Sequence, residues 1–568
     1  VRTSRVASLI AVLVLMLAAC RPLGPGSSGP SADLGDADPR PNIVVVMTDD
    51  MRVDDLRFAP SVRRLVAARG AEARNAFSTF PLCCPARASF LTGQYAHNHE
   101  VLSHQPPYGF GAFDDSETLA TSLSDAGYRT GFIGKYLNEY GIDPSLVTGE
   151  PSATYVPPGW DDWRASISDP DRDDPSIVGG TYDYRRTPFT MDGEVSQHWH
   201  GRYQTEVLGD FSLDMTRQFT EDRARTGEPF FMWLSHVAPH VGLPRDPDDP
   251  APIRLADGEI EGYSTPSVPK DVRGIYDDVI DRGAGMPRDD ADVPDTVEGT
   301  PRFFADLPPL SRDEREALRE VTRQRAEAIH VVDQQVERLV DQLEESGEWE
   351  RTVFVFVSDN GYFQGEHRQR AGKMKAHEPS LRIPLVVAGP GIEAGRDVWE
   401  PFTLVDLTAT LLDAANARPP HTPDGASHWE TLRGSPSPGW RHAVLTQGAW
   451  GEQKLTRPLR PLERRRGFTD VRVSIGLRTA QYSYTRYADG FVELYDLLAD
   501  PLQLDNVARD PHRRELVRTL RGLWDDYKDC VGATCRVDLP GPLRADRGEA
   551  ERMGRAYWRA VDAAYGWD

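Results

Sequence analysis

Lysine is scarce in this chain. Of 65 basic residues only six are lysine: Lys135, Lys270, Lys373, Lys375, Lys454 and Lys528. Arginine therefore serves wherever a generic surface cation is needed, and a retained lysine stands out, because a compact ammonium differs chemically from a planar guanidinium. Two of the six follow a glycine directly, as Gly134-Lys135 and Gly372-Lys373. Positive charge as a whole is in deficit, since 88 acidic residues leave a net charge of −23. That argues against nucleic acid as a partner, which demands clustered cationic surface. An anionic substrate would need its cations concentrated at one place.

Long apolar runs are also missing after the N-terminus, so no later segment reads as a membrane-spanning helix. At the N-terminus, Arg2 and Arg5 precede an apolar stretch from Ala7 to Leu17 that is short for a bilayer span. Leu17-Ala18-Ala19-Cys20 resembles a bacterial lipobox. The expectation is a signal peptide over 1–19, lipidation of Cys20 and a membrane anchor outside the cell; the alternative is an ordinary secretory signal cleaved nearby. Residues 20–40 are rich in Pro, Gly, Ser and Asp and read as a flexible tether. Cysteine is limited to five positions. Export permits disulfides, and Cys530 and Cys535 can close a small loop. Cys83 and Cys84 are adjacent, which suits neither a usual disulfide nor a C-x-x-C zinc pair.

What the chain does have is bulk and pattern. Its 568 residues, 39% of them apolar, suit one large domain with a smaller one. Four short apolar runs each stop at polar groups. Asn42–Met47 ends in Thr48-Asp49-Asp50, and Arg129–Ile133 in Gly134-Lys135. Phe230–Leu234 leads through Ser235-His236 to Pro239-His240, and Thr352–Val357 ends in Ser358-Asp359-Asn360. Continuous β-branched and aromatic runs read as strands buried on both faces, as in a parallel sheet covered by helices. Helical patterns fill the gaps, at Ala59–Arg69, at Thr118–Ala126 and from Ser311, where Glu314 completes a capping box. The expected class is α/β, with a large mostly parallel sheet sandwiched by helices over 41–425. A smaller C-terminal α+β domain on an antiparallel sheet is expected over 426–568, with Asp489-Gly490 as a hairpin turn. The acidic, Pro- and Gly-rich stretch Arg245–Thr300 reads as a surface excursion.

Ligands of open α/β sheets bind outside the carboxyl ends of the strands, where all four polar clusters would gather. An Asp after a strand is ordinarily a cap or turn residue, but four such ends in one chain are hard to ascribe to chance. Asp49, Asp50, Asp359 and Asn360 make an all-oxygen set suited to Ca²⁺ or Mg²⁺ rather than zinc.

The segment Leu82-Cys83-Cys84-Pro85-Ala86-Arg87-Ala88-Ser89-Phe90-Leu91-Thr92-Gly93 resembles the sulfatase signature, C-x-P-[S/A]-R followed by L-T-G. The resemblance extends over about residues 41–510, through PNIVVVMTDD, FVFVSDNG, the Gly372-Lys373 block and Leu494-Tyr495-Asp496. In Gly134-Lys135-Tyr136-Leu137-Asn138-Glu139-Tyr140 and Val156–Trp160 it is similar to N-acetylglucosamine-6-sulfatases. It implies that Cys83 is oxidised to Cα-formylglycine (3-oxoalanine) by a formylglycine-generating enzyme and joins Asp49, Asp50, Asp359 and Asn360 around the cation.

The same resemblance implies that the hydrated aldehyde attacks sulfur and that Arg87 stabilises it. Lys135 and Lys373 would clamp sulfate oxygens, and His240 would protonate the departing alcohol of a sulfated glycan or small molecule. Many members have a histidine two residues after the first lysine, and here Leu137 stands there. His97 and His99 are the candidates for its work, with His97 placed among the substrate-binding residues; the alternative is that both brace their loop. Two other functions are open to the sequence: a phosphate or phosphonate ester hydrolase of the same superfamily, and a non-catalytic glycan-binding lipoprotein.

Overall fold

The structure, a computed structural model, describes residues 38–168, 175–255, 258, 260–289, 291–449 and 464–567. The signal peptide, Cys20 and most of the 20–40 tether lie outside the described residues. A ten-stranded sheet runs through the molecule. Its middle is five parallel strands in the order Thr352–Ser358, Asn42–Thr48, Phe230–Ser235, Arg129–Lys135 and Asp162–Ser166. Leu385–Ala388 flanks it antiparallel on one side and Phe189–Met191 on the other. The four apolar runs that end in polar groups are inner strands, and every residue of Asn42–Thr48, Phe230–Ser235 and Thr352–Ser358 is buried. Burial on both faces is why their sequences do not alternate.

One face packs Val44, Val46, Met232, Leu234 and Phe354 against Ile329, Val332, Val336 and Leu339 of the helix Arg312–Glu345. That helix starts at the expected capping box: the Glu314 N–H donates to Ser311 Oγ at 3.3 Å, and the Ser311 N–H to Glu314 Oε2 at 2.7 Å. The other face packs Val45, Phe231 and Trp233 against Phe90, Leu91, Leu407 and Leu411. Ala59–Arg69 departs from a regular helix, because it winds as a π turn over Val62–Val66 and a 3₁₀ turn over Ala67–Arg69. Among the described residues of Arg245–Thr300 only Ile253–Arg254 and Ile260–Glu261 pair as strands, in keeping with a surface excursion.

The C-terminal region forms a four-stranded antiparallel sheet, Val444–Gly448, Ser474–Arg478, Tyr482–Tyr487 and Val492–Asp496, with helices Arg514–Tyr527 and Arg547–Tyr565. Gly490 turns the last hairpin at φ +97°. Residues Pro39–Asp568 form one compact unit, in which Phe77, Tyr95 and Val405 of the larger sheet's layer pack with Leu445, Ile475 and Trp524. We keep 425/426 as the proposed boundary, on the change of sheet type. Cys530 and Cys535 are joined by a disulfide.

A buried ion cluster joins the two regions. Glu378 accepts from Arg382 and, at 2.9 Å, from Arg478 at the end of the Ser474–Arg478 strand. Burial pushes the Glu378 carboxyl up, but the two guanidiniums outweigh it and bring it down to about 2. A depressed carboxylate stabilises the fold above its unfolded value of 4.5, and that contribution fades as pH falls towards 2. Glu378→Gln leaves two buried cations short of a counter-charge and should destabilise by about 3–5 kcal/mol in urea unfolding at pH 7. Below pH 4.5 the wild type should lose stability towards the variant; a gap that does not narrow would contradict this.

Candidate functional site

Parallel pairing sets the register that gathers the site. Thr48 lies opposite Ser358, Met47 opposite Ser235, and Gly134 opposite Ser235. Asp49, Asp359, Lys135 and His236 therefore leave the sheet at one level. Gly134 has φ +100°, and a Cβ there would stand 2.1 Å from the Ser235 carbonyl oxygen. Only glycine allows this approach, which explains the residue before Lys135. Asp50 holds a left-handed φ of +67°, a conformation that costs a residue with a side chain roughly 1–3 kcal/mol. Its N–H donates to Asp359 Oδ1 at 3.1 Å, and its carbonyl accepts from Arg325 Nη2. These bonds hold the strained turn in place.

Cys83 opens the helix Cys83–Thr92, and Arg87 follows one turn later on the same face. Cys83 Sγ donates to Asp49 Oδ1 at 3.1 Å and accepts from Lys373 Nζ at 2.7 Å. Cys84 faces away into the core, with its thiol 3.9 Å from the Asn138 carbonyl oxygen and pushed up to about 12 by burial. The two adjacent cysteines thus occupy unlike surroundings. Arg87 is fully buried and donates to Asp359 Oδ2 at 2.8 Å, to the Lys135 carbonyl at 2.7 Å and to Ser235 Oγ at 2.6 Å.

Both glycine-preceded lysines reach this point. Lys135 Nζ pairs with Asp49 Oδ2, and Lys373 Nζ with Asp50 Oδ1. His240 Nε2 lies 3.7 Å from Asp50 Oδ2, while its Nδ1 bonds the Val241 carbonyl at 2.7 Å. Burial pushes Asp49 up, but Lys135, His240, Lys373 and Arg87 hold it well below the carboxylate range. Burial and the Asp49 charge push the Cys83 thiol up in spite of the two lysines. An unmodified thiol here stays protonated and makes a poor nucleophile. Asp359 rises to about 6 through burial and the Asp49 charge.

Asp49, Asp50, Cys83 and His240 each offer an atom, all within 4.8 Å of one another, that could ligate a metal. Asp359 and Asn360 adjoin the group: Asn360 Nδ2 donates to Asp50 Oδ1 at 2.6 Å, and Asn360 Oδ1 is buried with no hydrogen-bond partner. Mutually repelling carboxylates beside an unsatisfied amide oxygen fit a hard divalent cation.

The structure brings together Asp49, Asp50, Cys83, Arg87, Lys135, His240, Asp359, Asn360 and Lys373. It does not bring His97. That ring stacks on Tyr95 and bonds the Cys530 carbonyl through Nε2 at 2.8 Å. His99 bonds Ser89 Oγ at 2.9 Å. Both histidines brace their loop, and their helical turn directs them at the disulfide loop and the signature helix. Two further contributors support the site, and the second carries no mark in the sequence. Ser235 accepts from Arg87 and donates to the Lys135 carbonyl at 2.6 Å. Tyr182 stacks on His240 at 4.4 Å, with Lys135 Nζ 4.9 Å from its ring centre. Tyr182 sits in a loop with no periodicity or motif, so no sequence signal singles it out.

A family model described as Sulfatase matches residues 41–417. The chain belongs to the sulfatase family, and its activity is sulfate ester hydrolysis. It is 31% identical over 397 residues to the extracellular sulfatase SULF-1 homologue of Drosophila melanogaster, covering 68% of this chain and 31% of that protein's length. It is 28% identical over 532 residues to the N-acetylglucosamine-6-sulfatase of Capra hircus, covering 88% of this chain and 85% of the relative. A solved structure described as a complex with its substrate, D-glucosamine-2-N,6-O-disulfate, superposes with a TM-score of 0.61. It is 21% identical and covers 86% of this chain and 97% of that one, a likeness of fold.

Proposed function

We propose that this sulfatase removes a 6-O-sulfate from a glucosamine-type sugar, with Cys83 as formylglycine and one calcium or magnesium ion at Asp49, Asp50, Asp359, Asn360 and residue 83. The observation that carries the reading is the meeting of Lys135 and Lys373 on the carboxylates around Cys83. In support of the sugar stand the motif from Gly134 to Tyr140 and the likeness to the goat enzyme.

When bound, the cation and the oxidised residue 83 would supply a neutralising charge and an oxygen nucleophile that a cysteine lacks. The chain's own groups do the rest. A cation taking the oxygens of Asp49 and Asp50 would compete with Lys135 and Lys373, leaving two ammoniums to hold anionic ester oxygens. Arg87 fixes Asp359 and the first turn of the signature helix, so residue 83 and the carboxylates keep one geometry. His240, held by the Val241 carbonyl and the Tyr182 ring, presents Nε2 and carries the proton for the leaving alcohol. The few cations lie where the anion binds, which reconciles an anionic substrate with a net charge of −23.

Sulfate release from N-acetylglucosamine 6-sulfate tests the reading. Turnover of an aryl sulfate with no sugar 6-sulfate accepted would overturn the sugar and leave the class. Preference for an aryl phosphate over the matching sulfate would overturn the chemistry. Elemental analysis should find a single calcium or magnesium ion per chain, and Asp50→Asn should lower that content; zinc at the same stoichiometry would contradict the all-oxygen argument.

A further inference from the structure

His104 lies in the loop between the signature helix and the strand Arg129–Lys135. Its neighbours on both sides are tied to the site, Leu102 before it packing in one cluster with Leu82, which adjoins Cys83. The Phe110 N–H donates to the Asn138 carbonyl at 3.3 Å, three residues beyond Lys135. Tyr108 packs in a cluster that includes Met374, next to Lys373. Gly109 lets the loop fold back on itself, since a Cβ there would stand 2.4 Å from the His104 carbonyl oxygen. These ties hold the loop next to the site, and the charges of Lys373, Lys135, His240 and Asp49 act on the imidazole. Burial, reinforced by the two lysines and His240, holds its pKa well below the ordinary histidine range, so the ring is neutral. Its Nε2 is buried and has no hydrogen-bond partner. A buried polar nitrogen without a partner is costly to keep. His97 and His99 spend their Nε2 atoms on the protein itself. His104 does not.

We propose that His104 is a substrate-contacting residue of this site, whose Nε2 meets an oxygen of the anionic ester beside Lys135 and Lys373. The inference rests on the sulfate-ester reading of the site. Leu137 leaves the segment after Lys135 without an imidazole, and His104 brings one from a different loop. A neutral ring is suited to the position, because a third full cation would be repelled by the two lysines, while an N–H still donates to an anionic oxygen.

Two measurements test this: steady-state kinetics on N-acetylglucosamine 6-sulfate, and calorimetric titration of inorganic sulfate into the metal-loaded protein in a Cys83→Ala background. His104→Ala should raise both KM and the sulfate Kd about 10- to 100-fold, with a smaller change in kcat and an unchanged melting temperature. His104→Gln, which keeps an N–H donor, should recover most of the loss. Unchanged KM and Kd in His104→Ala would overturn the inference. So would a fall in melting temperature with kcat and KM altered equally in the Ala and Gln variants, which marks a loop brace. If the protein with His104 intact neither binds sulfate nor cleaves a sulfate ester, the functional reading fails and this inference with it. If it does both and His104→Ala changes nothing, only the inference fails.

Discussion

Cys83→Ala should abolish turnover of every sulfate ester, by at least about 10⁴-fold, whereas Cys84→Ala should keep most of it. The two thiols are neighbours in sequence and opposites in surroundings. Cys83 Sγ sits between Asp49 and Lys373, where a group attached to its Cβ can reach an anion held by the lysines. Cys84 packs with Phe90, Trp233 and the aromatic residues of the core, and its loss removes one small buried atom. Intact-protein and peptide mass spectrometry should place an aldehyde at residue 83 in active protein and leave Cys84 a thiol. Equal inactivation by both substitutions would sink the assignment, and a thiol at residue 83 in fully active protein would sink the chemistry.

His240→Ala should damage hydrolysis of a sugar 6-sulfate by about 10²–10⁴-fold and spare nitrophenyl sulfate by comparison. The difference comes from the leaving group. A 6-O-sulfate departs from a primary carbon as a strongly basic alkoxide that needs a proton, while nitrophenolate leaves without one. The geometry suits a proton carrier. The Val241 carbonyl takes the Nδ1 side at 2.7 Å, Tyr182 fixes the ring plane, and Nε2 lies 3.7 Å from Asp50, whose charge opposes the burial that favours the neutral ring. The simpler possibility, that His240 only binds sulfate, predicts similar losses on both substrates. Parallel measurement of kcat/KM for the two esters separates them, and equal losses would refute the acid role.

Much of the machinery is legible in the order of residues alone. The four strand ends carry it because a strand buried on both faces must be apolar throughout, so a polar group at its carboxyl end marks the sheet's edge and the site together. Lysine scarcity marks Lys135 and Lys373, and the signature segment marks Cys83 and Arg87. Legibility stops where local spacing carries no information. His97 lies in the run after the signature, yet its helical turn directs the ring at the Cys530 carbonyl. Tyr182 lies in a loop without period or motif, and only long-range packing brings it to His240 and Lys135.

The order of residues suffices for the class of fold, the inner strands, the capped helix from Ser311, the hairpin at Asp489-Gly490 and the identity of nine of the residues that meet at the site. These are local properties, set by hydrophobic period, turn chemistry and residue type. Tertiary structure alone decided how differently the two adjacent cysteines are surrounded and which histidines are spent on bracing. It also decided that Ser235 and Tyr182 support the site, and that Asp50 is held in a left-handed turn by Asp359 and Arg325, more than 270 positions away in the chain. Those outcomes depend on strand register and on loops folding back over the sheet, and no window of neighbouring residues contains either.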